Sequence, residues 1–211
     1  MSTCCGAFVE VGERDFSALA RKYRLTMLGP QGAWVYIHAE VNFASIEPPR
    51  FAAALSAELE GTVLAFMLQT NASCEVLEHW ERGELVRRLV CEEEHWKSAE
   101  GTPQAWESIY FFDPSEGTND GEKWPLALDR ETSDENKQRY EKAKRANDPS
   151  AVLDLLRGGN VDSLLRLAKH WGIDVRAPTA RHAMWKLRTV LALTLALVCG
   201  ATLLGALLGR A

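Results

Sequence analysis

The sequence carries none of the short strings that place a reactive group by local geometry. It has no GxSxG, no phosphate-cradling GxxxxGK and no HExxH, so no nucleophile elbow, nucleotide loop or catalytic zinc helix is expected. Zinc sites favour ligands in close pairs such as CxxC or HxxxH, and neither spacing occurs; no metal, cofactor or catalytic residue is assigned. The five cysteines, Cys4, Cys5, Cys74, Cys91 and Cys199, are odd in number and scattered. That excludes a disulfide scaffold and fits reduced cytoplasmic thiols. The opening Met1-Ser2-Thr3-Cys4-Cys5-Gly6 has neither a basic region nor an apolar core, and Ser2 stands where myristoylation needs glycine, so neither secretory signal nor myristoyl anchor is expected there.

Charge is missing altogether from Thr189 to Gly209, twenty-one residues. At 1.5 Å per residue a helix of that length matches the ~30 Å hydrocarbon core of a bilayer. A buried helix of a soluble domain would present a polar flank, whereas here leucines surround the axis, among them Leu193, Leu197, Leu204 and Leu208. Eight leucines supply about −2 to −5 kcal/mol toward insertion, which Gly200, Gly205 and the threonines reduce without reversing. Lys186 and Arg188, with Trp185 suited to the headgroup level, precede the run, and only Arg210 and Ala211 follow it. The expectation is a single-pass, tail-anchored membrane protein with its N-terminal domain in the cytoplasm. Gly205 and Gly209 form a GxxxG that would let two such helices approach as a homodimer.

Before that run, composition is ordinary for a folded protein, with seven tryptophans well spread, so wholesale disorder is not expected. The net charge of −5 conceals a gradient: Ala72–Lys123 holds thirteen acids and five bases, and Arg157–Arg188 seven bases and two acids. The basic part adjoins the expected bilayer, where anionic lipid attracts it. The acidic part argues against a nucleic-acid partner.

The pattern of elements predicts an α+β fold, a largely antiparallel sheet with flanking helices, followed by a helical segment and the C-terminal transmembrane helix. Strands are expected at 7–11, 34–41 and 62–69, with a helix capped by Asp15 and another over 51–59 ended by Gly61. Residues 74–80 and 85–91 form a hairpin in which Trp80–Leu85, Glu78–Arg87, Val76–Leu89 and Cys74–Cys91 are opposite, unless a bulge shifts the register by one. In that register Cys74 and Cys91 approach as small packed residues, while His79 and Cys91 face apart, so that His79, Cys91 and His95 do not converge on a metal. His95–Ser98 adds a strand, and a short helix follows Thr102-Pro103.

Five segments are expected: a cytoplasmic α+β domain (1–128), a polar connector helix (129–147) opened by the capping box Thr132-Ser133-Asp134-Glu135, a short helical hairpin (148–172), a basic juxtamembrane segment (173–188) and the transmembrane helix (189–209). The connector should be braced by Glu135–Arg139 and Glu141–Arg145. The hairpin carries an apolar stripe of Val161, Leu164, Leu165, Ala168 and Trp171 and is expected to pack on its own chain. Together these features suggest a binding or regulatory module concentrated near a protein partner at the membrane face. The alternative is a tethered enzyme with an unrecognised active site in the α+β domain.

Overall fold

The computed structural model describes residues 3–23, 25–30, 33–39, 47–70, 72–112, 128–129, 131–159 and 161–173. Met1–Ile173 makes one compact unit. The expected anchor (Thr189, Leu193, Leu197, Gly200, Leu204, Gly205, Leu208, Gly209) and its flank Trp185, Lys186 and Arg188 lie outside the described residues, as does Asn71. Among the described residues no helix is long and apolar enough to cross a membrane.

The fold is α+β. Seven strands, β1 (Thr3–Glu10), β2 (Thr26–Pro30), β3 (Trp34–His38), β4 (Thr62–Gln69), β5 (Cys74–Glu81), β6 (Glu84–Glu92) and β7 (His95–Gly101), form one sheet in the order 2-3-1-4-5-6-7. Every pairing is antiparallel. Both faces are covered, which explains why β4 is apolar almost throughout: six of its eight residues are buried. Ala7, Val9, Val35, Ile37, Val63 and Ala65 point to one face. There they meet Leu55 and Leu59 of α2 (Ala52–Leu59) and Phe16, which precedes α1 (Ser17–Tyr23). The alternate residues Phe8, Tyr36 and Phe66 stack on the opposite face. That second layer holds α3 (Ala105–Phe111), α4 (Asp134–Ala146), a 3-10 helix (Pro149–Leu155) and α5 (Val161–His170).

Helix ends follow their local chemistry. The Asp15 carboxylate accepts from the Ser17 N–H, and the Ser133 hydroxyl accepts from that of Asn136, each satisfying a free donor of a first turn. At the end of α2 the left-handed residue is Glu60 (φ 47°), not the expected Gly61. In α4, Arg139 reaches Asp154 of the 3-10 helix at 3.2 Å instead of Glu135, and Tyr140 and Ala143 are buried. α5 buries Leu164, Leu167 and Ala168, leaving Val161 exposed; the stripe is rotated by part of a turn from the one expected. Its end is fixed by Trp171, stacked at 4.1 Å on Trp34.

The hairpin register is corrected by one residue. Trp80 does face Leu85, but the next pair is His79–Arg87, so Val86 is an inserted bulge residue. Beyond it Glu78 faces Arg88, Leu77 faces Leu89 and Glu75 faces Cys91. Cys74 therefore does not oppose Cys91, and both remain free thiols. The turn residues Arg82 and Gly83 both have positive φ (51° and 88°), the handedness that matches strand twist in two-residue hairpins. Arg82 tolerates it because its N–H bonds the Gly61 carbonyl, while the Gly83 N–H bonds Ser56 Oγ at 2.9 Å.

Candidate functional site

The bulge at Val86 matters because it moves side chains from one face to the other. It brings Arg87 and Cys91 onto the face covered by α3 and α5, where the β4–β5 pairing already sets Glu75 and His79. All four are buried, as is Glu107 of α3. Burying so many ionisable groups is costly unless each finds partners, and the partners divide them into three groups.

Arg87 and Glu107 form the first. The guanidinium donates to both carboxylate oxygens (Nε to Oε1 3.0 Å, Nη2 to Oε2 2.9 Å) and to the Gly101 carbonyl at 3.0 Å. Glu107 also accepts the Gln104 N–H as the capping box of α3. This two-pronged pair ties β6, the end of β7 and α3 together.

His79 stands alone in the second. Trp106 Nε1 donates to its Nδ1 at 3.1 Å, which leaves the neutral ring's proton on Nε2. Among the described residues that nitrogen has no hydrogen-bond partner, although Glu81 Oε1 lies 3.4 Å away outside hydrogen-bond geometry. Burial drives the imidazole pKa down to about 4, opposed in part by Glu10.

The third group closes the far end of the sheet. Glu75 is fully buried, and its oxygens are shared between two covering elements: the Tyr110 hydroxyl of α3 donates to Oε1, and the Gly159 N–H donates to Oε2 at 2.9 Å. No cation is paired with it among the described residues. Burial pushes its pKa up to about 7 against the lowering pull of those two donors. Cys91 lies beside it, its thiol pushed up to about 12 by burial and by the Glu75 charge. Over both runs the Gly158-Gly159 segment. A Cβ on Gly158 would sit 2.5 Å from Cys91 Sγ, and one on Gly159 3.0 Å from Ser73 Cα, so side chains are excluded there.

Backbone around this corner is drawn into left-handed conformations. Ser73 (φ 47°), Glu93 (φ 51°) and Glu94 (φ 69°) are all non-glycine, each at a cost of about 1–2 kcal/mol. They are fixed by mutual bonds: Glu94 N–H to the Ser73 carbonyl at 3.1 Å, Gly158 N–H to the Glu94 carbonyl at 2.9 Å, and an Arg157–Glu94 ion pair.

No known protein family, curated protein or solved structure matches this chain. Among the described residues no group of three or more histidines, cysteines or acids is placed to hold a metal. His79 and Cys91 share a face, contrary to expectation, but four residues of strand separate His79 from the Glu75–Cys91 pair, roughly 13 Å. His95 sits on β7 in an isolated bridge with Arg157. Cys4 and Cys5 belong to β1; Cys5 is buried, and burial raises its pKa to about 11. Sequence reasoning missed Glu75, Tyr110 and Arg87 as partnered interior groups. The signal available was the Gly158-Gly159 pair, readable as a close approach of backbone to another element.

Proposed function

We propose that this chain is a membrane-tethered binding or regulatory module, held by one helix over Thr189–Gly209, with its α+β domain at the cytoplasmic face. The observation that carries this reading is the uncharged twenty-one-residue run preceded by Trp185, Lys186 and Arg188. A tether confines the domain near membrane-bound protein partners and raises its effective concentration without any added contact. Pairing of two helices through Gly205 and Gly209 would make it dimeric.

The interior chemistry supports a module over an enzyme. Strongly perturbed acids mark catalytic sites when they are left free to act. Glu75 is perturbed, but both its oxygens are occupied by the chain's own Tyr110 and Gly159, and the Arg87 guanidinium is likewise engaged with Glu107, Gly101 and Ser150. Glu75 is also the one observation that favours a tethered enzyme. The deciding experiment is fractionation of lysed cells followed by capture of partners from detergent-solubilised membranes. Recovery of the full-length chain in the pellet, released only by detergent, is expected; full-length chain in the supernatant without detergent overturns the tether. Turnover of a metabolite by the purified chain, abolished by Glu75→Gln, would reverse the choice between module and enzyme.

A further inference from the structure

The Glu75 corner joins three features that a static core does not need together. A fully buried carboxyl has two donors and no paired cation among the described residues. One of those donors belongs to a glycine crossing that lies flush over a buried thiol. That crossing leads directly into α5, the last described helix.

We propose that Glu75 is a proton-operated latch: its neutral carboxyl holds the Gly158-Gly159 crossing and the first turn of α5 closed against the sheet, and its ionisation opens that crossing to water.

The groups that face Glu75 set the direction. Cys91 and Cys74 are thiols, and Tyr110 is a phenol whose pKa burial drives well above its ordinary range, so none supplies positive charge. Arg166 of α5 is spent on the Ile109 and Tyr110 carbonyls and on Ser163 Oγ. Arg157 is paired with Glu94, and Lys97 acts on Cys91. An ionised Glu75 thus has only two dipoles to replace its water shell, which is too little in a dry interior. Water reaches it most directly by displacing the crossing, which is held by Gly159 to Glu75, Gly158 to Glu94, the Arg157–Glu94 ion pair and the Arg157–His95 bridge. Leu164, Leu167 and Ala168 remain packed, and the Trp171–Trp34 stack holds the other end of α5, so opening is confined to about residues 157–163.

Linkage fixes the size of the effect. The closed state holds its proton to about pH 7, whereas an exposed glutamate holds it only to 4.5, so the opening constant rises by up to about 300-fold as pH climbs through that interval and levels off above it. The test is hydrogen exchange of the full chain in detergent, corrected for intrinsic rates, from pH 5 to 8.5. Corrected exchange of residues 157–163 should rise steeply with pH in the wild type and stay flat in Glu75→Gln, which keeps the shape without the charge. Tyr110→Phe removes a donor that favours the ionised form, so its midpoint should move to higher pH; this variant decides the matter if Glu75→Gln fails to fold. A pH-independent segment in the wild type, the same rise in Glu75→Gln, or protection of 157–163 equal to that of β4 above pH 7 would overturn the latch. None of these readouts depends on residues 189–209 being in lipid.

Discussion

Glu75 and His79 are four residues apart on one strand face, and their titrations oppose one another. Glu75 is an acid whose folded pKa is raised from 4.5 to about 7. Between those values the folded chain holds a proton that the unfolded chain has lost, so its contribution to stability is full below pH 4.5 and disappears as pH rises through 7. His79 is a base whose folded pKa is lowered from 6.5 to about 4. Here the unfolded chain takes the proton first, so its contribution is full above pH 6.5 and is lost as pH falls through 4. Each spans about 2.5 pH units, and at about 1.4 kcal/mol per unit each swings stability by about 3 kcal/mol. Because the intervals overlap and the signs differ, wild-type stability should be nearly flat between pH 4.5 and 6.5. The two variants should then tilt in opposite directions. Glu75→Gln should lose about 3 kcal/mol on acidification from pH 7 to 4, and His79→Gln should gain a similar amount over the same range. Urea unfolding followed by tryptophan fluorescence at half-unit pH steps reads this directly. Variants that tilt the same way, or that keep the flat profile of the parent, would refute the assignment of buried charge to these two side chains.

Three other perturbations test the remaining architecture. Arg87→Met leaves Glu107 buried without its cation and should cost about 3–5 kcal/mol, whereas the double variant Arg87→Met/Glu107→Gln should cost clearly less than the sum of the singles; additivity in a double-mutant cycle would mean the pair is not coupled. Gly158→Ala forces a methyl into Cys91 and Trp96 and should destabilise by about 1–3 kcal/mol in thermal unfolding, with Cys91→Ala restoring part of the loss. Leu197→Arg combined with Leu204→Arg places two charges in the apolar run at about 3 kcal/mol each, enough to cancel its insertion energy, and should shift the chain to the soluble fraction.

Most of the sheet was readable because its strands follow simple rules of burial; β2 was not, since its Gly29-Pro30 end reads as a turn. β4 is a continuous apolar run bounded by Gly61 and the turn before Cys74, and its residues match expectation one for one. The hairpin register was not readable, and the reason is specific. Arg87 and Arg88 are adjacent, so Glu78 finds a cation in either register, and Leu89 meets an apolar partner whether Val76 or Leu77 lies opposite. What decides between them is the Val86 bulge, whose carbonyl accepts from the Thr102 N–H at 3.1 Å, a contact made by a residue beyond β7. The interior polar groups inherited that ambiguity: one register shift is the difference between Arg87 and Cys91 sharing the face of Glu75 and His79 and lying on the opposite face. The polar helix α4 shows the converse limit. Of its three apolar positions, Tyr140 and Ala143 are buried and Ala146 at its end is exposed; Tyr140 meets the ring of Phe112, a partner no local spacing announces.

The strand order 2-3-1-4-5-6-7 has a consequence for how the chain is made. β1 is made before every other strand of the sheet, yet it ends up in the interior, flanked by β3 on one side and β4 on the other. Its second neighbour does not exist until residue 69 has been synthesised, so β1 must wait, paired on one side with β3 alone, until β4 arrives and β5, β6 and β7 follow as a simple meander. Loss of the first ten residues would therefore not trim an edge; it would cut the sheet into a two-strand and a four-strand fragment, each with a raw seam.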